Sequence, residues 1–312
     1  MKLPLTVDCH YVQSQFACSY LITEGKQAVF IETNTTHAVP RLLSALKARN
    51  LKPEQVKYII ITHVHLDHAG GSSALVQACP NATLLTHPRA SQHVIDPTHL
   101  IESAKKVYGD EIFGNLYGRI EPIPAERVRT MEDGEVIPFH SRDFQFFYTR
   151  GHANHHFCIG DSESEGIFTG DSFGIAYPAL QSRGLFIFPS TSPTQFDPAE
   201  ARKSISKIVN RNPKRVFLTH FGGVKKVREA ASQLLKHLDF AESLVEKAKG
   251  SDLPDAELPQ FCERILENYF KDSLQKHGIH VYQSIWETIR MDIQLNAAGI
   301  AFLANKLRRP AT

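Results

Sequence analysis

The segment Tyr58-Ile-Ile-Ile-Thr-His63-Val-His65-Leu-Asp67-His68-Ala-Gly-Gly sets four groups able to ligate a metal within six residues, directly after a short apolar run. A lone histidine beside a core strand is usually satisfied by its neighbours. Three imidazoles and a carboxylate packed this densely cannot satisfy one another. Residues two apart in extended chain project to the same side, so His63 and His65 can grip one ion. Asp67 and His68 follow as the chain turns into a helix, where they can face a second ion. Imidazole and carboxylate donors suit zinc, with iron or manganese as the less frequent occupants.

The same grammar recurs three times. Phe146-Phe-Tyr-Thr-Arg-Gly-His152, Gly166-Ile-Phe-Thr-Gly-Asp171 and Val216-Phe-Leu-Thr-His220 are each an apolar, strand-like run ending in a potential ligand. Loops at strand ends can gather such residues around a shared site.

This order, H-x-H-x-D-H followed by a distant His, Asp and His, resembles the metallo-β-lactamase superfamily over roughly residues 15–222. The resemblance implies an α/β fold, a four-layer αβ/βα sandwich with a two-metal site at one edge between its sheets. It implies two zinc ions: His63, His65 and His152 on one, Asp67, His68 and His220 on the other, and Asp171 bridging both. A hydroxide between the ions would attack an ester, thioester, lactone or amide carbonyl, while the metals polarise the carbonyl oxygen and take up the oxyanion. Asp67 is also expected to position the nucleophile or pass a proton to the leaving group. Tyr177, six residues after Asp171, is a candidate for contacting the oxyanion, against a plain role in the pocket wall. No Gly-x-Ser-x-Gly elbow offers a competing nucleophile.

Several residues carry lesser expectations. Family members often have an Asp near the end of an early strand that supports the ligands; Ile31-Glu32-Thr33-Asn34 has a Glu there. His156, in Gly-His-Ala-Asn-His155-His156, is expected to orient a ligand by hydrogen bonding rather than to bind a third ion. His87, Arg89, His93 and Tyr108 belong to a helical insertion and either line the pocket or form a solvated helical face.

The elements that must position these groups follow from periodicity. Strands are expected at 16–22, 27–33, 56–61, 82–86, near Val128, and at 144–149, 157–159, 166–169 and 215–219. Helices are expected at 36–49, from 72 to 77, at 88–94 and at 100–117. A further helix starts at Pro198, with Asp197 as its N-cap. After about Gly223 the strands stop. Val227, Ala231, Leu234, Leu238, Ala241, Val245 and Ala248 step by four and three as an amphipathic helix closed by Gly250. Two more helices are expected at 258–277 and 281–306. The division expected is a catalytic domain over 1–222 and a helical C-terminal extension over 223–312 that caps the site. The stripe on the 227–248 helix also leaves open a homodimer contact.

Composition sets the outer bounds. The 312 residues carry 35 basic and 33 acidic side chains, a net charge of +2. That balance disfavours nucleic acid as a partner. No apolar run reaches the length of a membrane span, and none near the N-terminus suits a signal peptide, so a cytoplasmic protein is expected. Five widely spaced cysteines without a C-x-x-C read as buried reduced thiols.

Within the superfamily, departures narrow the reading. Asp171 is followed by Ser-Phe-Gly-Ile-Ala-Tyr-Pro, unlike the Gly-Cys-Gly-Arg-like segment of glyoxalase II and the persulfide dioxygenases, and Gly174 stands where acyl-homoserine lactonases tend to have Tyr. The group most resembled is a glyoxalase-II-like set of hydrolases with Gly-His-Ala-x-His-His and Thr-His-Phe-Gly. The expected activity is hydrolysis of a small acyl substrate. A mononuclear non-haem iron dioxygenase and a binding or regulatory protein with vestigial catalysis are the alternatives.

Overall fold

Short runs rich in Val, Ile, Leu and Phe become strands. In the computed structural model, which describes residues 2–191 and 194–308 with the side chains of 107 and 108 excepted, they form two six-stranded sheets. The first takes β1 (Leu5–Asp8), β2 (Cys18–Glu24), β3 (Gln27–Ile31), β4 (Val56–Ile60), β5 (Thr83–Thr86) and β6 (Val128–Thr130) in that order. Its first three strands pair antiparallel and β3 to β6 run parallel. Parallel neighbours need crossovers. Here α1 (Val39–Ala48) lies between β3 and β4, α2 (Leu66–Ala69) and α3 (Ser72–Ala78) between β4 and β5, and α4 (Pro88–Ile95), α5 (Thr98–Tyr108) and α6 (Asp110–Tyr117) between β5 and β6. The second sheet is formed by β7 (Val136–Phe139), β8 (Arg142–Tyr148), β9 (Phe157–Asp161), β10 (Gly166–Gly170), β11 (Arg215–Leu218) and β12 (Gly222–Val224). Only β10 and β11 are parallel in it.

The side-chain period of two explains why β3 reads as a continuous apolar run. Ala28 and Phe30 join a core with Leu42 and Leu46 of α1 and Val76 of α3. Val29 and Ile31 point the other way, into a core with Phe144, Phe146, Phe157, Phe168 and Phe217 of the second sheet. Each of these phenyl rings contributes about 1.5–3 kcal/mol by leaving water.

The chain divides into two compact units that are not consecutive in sequence. One comprises residues 1–148, 155–170 and 213–225 and holds both sheets; the other comprises 149–154, 171–212 and 226–312. In the second unit α7 (Pro198–Asn210) packs on α8 (Val227–Lys249), and α10 (Gln283–Arg308) packs on both α8 and α9 (Leu258–Lys276). Asp197 caps α7 through the Glu200 amide, as its position predicts. The expected stripe of α8 is buried, and Gly250 stands at its C-cap.

The element boundaries differ from expectation in instructive places. The expected 100–117 helix is two helices, broken at Gly109, whose φ is +80°. The strand expected from Phe16 starts at Cys18, and the strands run on to Val224 rather than stopping at Gly223. β1, β7 and β12 were not expected. All five cysteines are buried and free. Burial pushes the thiols of Cys9 and Cys18 up to about 12, so they stay protonated. Among the described residues, no helix is long and apolar enough to cross a membrane.

Candidate metal centre

Five of the seven expected ligands lie in the unit that holds the sheets. β4 ends at Ile60, and the chain then runs through Thr62, His63 and His65 into α2, which carries Asp67 and His68. The rings of His63 and His65 meet edge to face with centroids 4.5 Å apart, and His63 and His68 are 4.1 Å apart. β11 ends at Leu218 and delivers His220 to the same place, its ring 5.4 Å from that of His68. Nε2 of His220 lies 3.3 Å and Nε2 of His68 lies 3.6 Å from Oδ2 of Asp67. His63, His68 and His220 are buried, while His65 and Asp67 are partly open to solvent.

Each ligand is held from behind. Nδ1 of His220 donates to the Phe16 carbonyl at 2.9 Å, which leaves Nε2 facing Asp67. Nδ1 of His63 is 3.0 Å from the Thr62 hydroxyl. Glu32, buried with a left-handed φ of +65°, accepts from the Thr62 amide through Oε1 and sets Oε2 3.3 Å from Nδ1 of His68. The Thr33 backbone amide and hydroxyl both donate to the His68 carbonyl at 2.9 Å, and Nδ2 of the Asn34 side chain donates to the Asp67 carbonyl at 2.8 Å. This strap lies so close that a Cβ on Gly71 would stand 2.7 Å from the Thr35 carbonyl, which accounts for glycine after the ligand run.

The other two expected ligands belong to the second unit and face one another. Nε2 of His152 is 3.4 Å from Oδ2 of Asp171, and both are buried. The segment bearing His152 is pinned by Asp197, whose amide donates to the Gly151 carbonyl at 2.9 Å, and by Ser204, whose hydroxyl donates to the Arg150 carbonyl at 2.6 Å. Nδ1 of His152 lies 3.3 Å from the Ser190 carbonyl.

The donor set fits a transition metal. Zinc takes nitrogen and oxygen ligands at about 2.0–2.2 Å, so two ligands of one tetrahedral ion stand about 3.3–3.6 Å apart. The Asp67–His220 and Asp67–His68 separations fall in that range. All ligand atoms of Asp67, His68 and His220 lie within 4.8 Å of one another.

The remaining candidates divide. His156 is fully buried, with its ring 4.9 Å from that of His63. His155 packs its ring 5.8 Å from His65 and 6.1 Å from His63. His93, on α4, meets His155 at 6.2 Å. His87 does something else: it caps α4, accepting from the Arg89 amide, and packs on Tyr148. Tyr177 is buried in the second unit, where its hydroxyl donates to Asp292 at 3.2 Å. The Tyr108 side chain lies outside the described residues. Sequence reasoning missed Thr62 and the carbonyls of Phe16 and Ser190, and a backbone carbonyl leaves no residue-type signal.

Comparison with known proteins places this geometry. The family described as the metallo-beta-lactamase superfamily matches residues 16–220, more than half of the chain. Metallo-beta-lactamase fold-containing protein ST1585 of Sulfurisphaera tokodaii is 29% identical over 58% of this chain and 67% of its own length. Atrochrysone carboxyl ACP thioesterase of Aspergillus fumigatus is 24% identical over 52% of this chain and 41% of its own, so the chain spans less than half of that relative. The crystal structure of ST1585 from Sulfolobus tokodaii aligns with a TM-score of 0.67 at 22% identity, covering 96% of this chain and 98% of that one. The fold typically holds divalent metals such as zinc or iron, and the superfamily consists mostly of hydrolytic metalloenzymes. With two mixed sheets, helices and a C-terminal helical region around this ligand order, the chain belongs to the metallo-β-lactamase superfamily.

Proposed function

We propose that this protein is a dinuclear metal-dependent hydrolase of small acyl substrates, an ester, thioester or lactone. The observation that carries the reading is the grouping of part-exposed Asp67 with buried His68 and His220, with His63 and His65 beside it. His63, His65 and His152 would hold one ion and Asp67, His68 and His220 the other, with Asp171 as a further carboxylate ligand. When bound, two zinc ions supply an acidified water and a Lewis acid for the carbonyl oxygen.

The chain's own residues do the rest. Phe16, Thr62 and Glu32 fix the orientation of His220, His63 and His68, so that the donor atoms are set before an ion arrives. Asp67, part-exposed beside His220, is the group placed to accept a proton from the attacking water or return one to the leaving group. Of the two roles expected for Tyr177, contact with the oxyanion and a place in the pocket wall, the second is favoured, because its hydroxyl donates to Asp292. The relative named as a thioesterase supports thioesters within the substrate class. Residues 223–312 are proposed to cap the site and restrict it to slender acyl groups; a soluble truncation after Gly223 with an unchanged substrate range overturns the cap.

The test is elemental analysis of purified protein followed by a screen of p-nitrophenyl esters, lactones and acyl thioesters. Two equivalents of zinc and turnover of one class are expected. Asp67→Ala should abolish turnover with the far-ultraviolet circular dichroism unchanged; hydrolysis at the parental rate by this variant sinks the two-metal mechanism.

A further inference from the structure

We propose that Arg89 and His93 form a recognition subsite for an anionic group, carboxylate or phosphate, carried by the acyl substrate. The inference rests on the hydrolase reading above and adds a substrate class to it.

β4 and β5 are parallel neighbours in register, Ile60 opposite Leu85, so both end on the same edge. His63 follows β4 there, and α4 follows β5 there. The first turn of α4 therefore rises beside the loop that bears the metal ligands. His87 caps that helix and starts it at Pro88, which puts Arg89 and His93 four residues apart on one helical face. His93 touches His155, and His155 touches the rings of His63 and His65. A continuous path of imidazoles thus runs from α4 to the ligands.

The chemistry of the pair selects the ligand. Arg89 is exposed and its guanidinium pairs with no carboxylate among the described residues. Some other long basic side chains are neutralised by acids, as Arg129 by Glu135, Lys105 by Asp110 and Arg202 by Asp239; Arg89 is not, and it stands on the helix face that His93 turns to His155. A guanidinium offers a planar fork of donors matched to carboxylate or phosphate oxygens. An imidazole one turn away adds a donor on the same side. An apolar acyl tail gains nothing from such a face, whereas a diacid half-ester or a phosphorylated acyl carrier does.

The experiment uses the 312-residue zinc-loaded protein and two esters that differ by one group: p-nitrophenyl hexanoate and the p-nitrophenyl monoester of adipic acid. The parent should prefer the adipate ester. In Arg89→Met and in His93→Gln, the ratio of kcat/KM for the adipate ester to that for the hexanoate should fall about tenfold, through KM. An unchanged ratio overturns the subsite, whatever happens to the absolute rates. Calorimetric binding of adipate itself gives a readout independent of turnover. Should the parent hydrolyse neither ester, the adipate titration decides alone, and adipate binding that weakens in both variants still supports the subsite. Adipate binding that is absent, or equal in parent and variants, overturns it.

Discussion

Oε2 of Glu32 stands 3.3 Å from Nδ1 of His68, with both side chains fully withdrawn from solvent. The carboxylate faces, at charge-contact distance, a ligand that it does not itself accompany onto the ion. Glu32→Gln keeps the hydrogen bond from Thr62 but removes the charge facing His68. Metal affinity is expected to fall about 10–100-fold, as is typical when such a supporting partner is lost. Competition with a chromophoric chelator measures it, and an unchanged affinity removes Glu32 from the centre.

Removing the metal should cost stability, because a cation bound only to the folded state stabilises it by mass action. At a free zinc concentration about a hundred times Kd the gain is about 2.7 kcal/mol. Chelator should therefore lower Tm, and added zinc should restore it. A Tm indifferent to both indicates that the clustered imidazoles hold no ion in solution.

His237 provides a pH test in the helical unit. Burial, aided by the nearby Lys236 charge, holds its pKa down at about 4, against 6.5 when exposed. Its Nδ1 lies 2.9 Å from the Tyr269 hydroxyl, an arrangement the neutral ring can accept. The folded state therefore keeps His237 neutral while the unfolded chain takes up a proton, and its contribution is complete above pH 6.5 and lost as pH falls towards 4. The loss amounts to about 3 kcal/mol. The drop in urea midpoint from pH 7 to pH 4.5 should be smaller in His237→Phe than in the parent; equal drops contradict the assignment.

Gly170 precedes Asp171 with a φ of +47°, and a Cβ there would stand 2.5 Å from both Nε2 of His156 and Oγ1 of Thr62. Gly170→Ala combines backbone strain with overpacking and should destabilise by about 1–3 kcal/mol. Because Thr62 also holds His63, metal affinity should drop with stability. A variant with lower Tm but parental zinc affinity separates the glycine from the centre.

Much of this architecture was legible because its signals are redundant. The run from His63 to His68 gathers four donors where core chemistry has no use for them, and the long stripe of α8 repeats over several turns. What escaped was short or had no side-chain signature. β1 and β12 span 4 and 3 residues, too few for a period to register. β7 contains Pro138, which reads as a break. Gly109 splits a helix that apolar spacing alone would continue. Glu32 stood out only as a departure from Asp. The structure supplies its reason: its side chain reaches the Thr62 amide and His68 at once.

The path of the chain has a consequence for inheritance. It passes from one unit to the other at 148–149, 154–155, 170–171, 212–213 and 225–226. Neither unit corresponds to an uninterrupted stretch of gene, and on the ribosome the helical one cannot close until its final helix has emerged. Recombination at a single crossover could not exchange it whole, because the segments of the two units alternate along the chain.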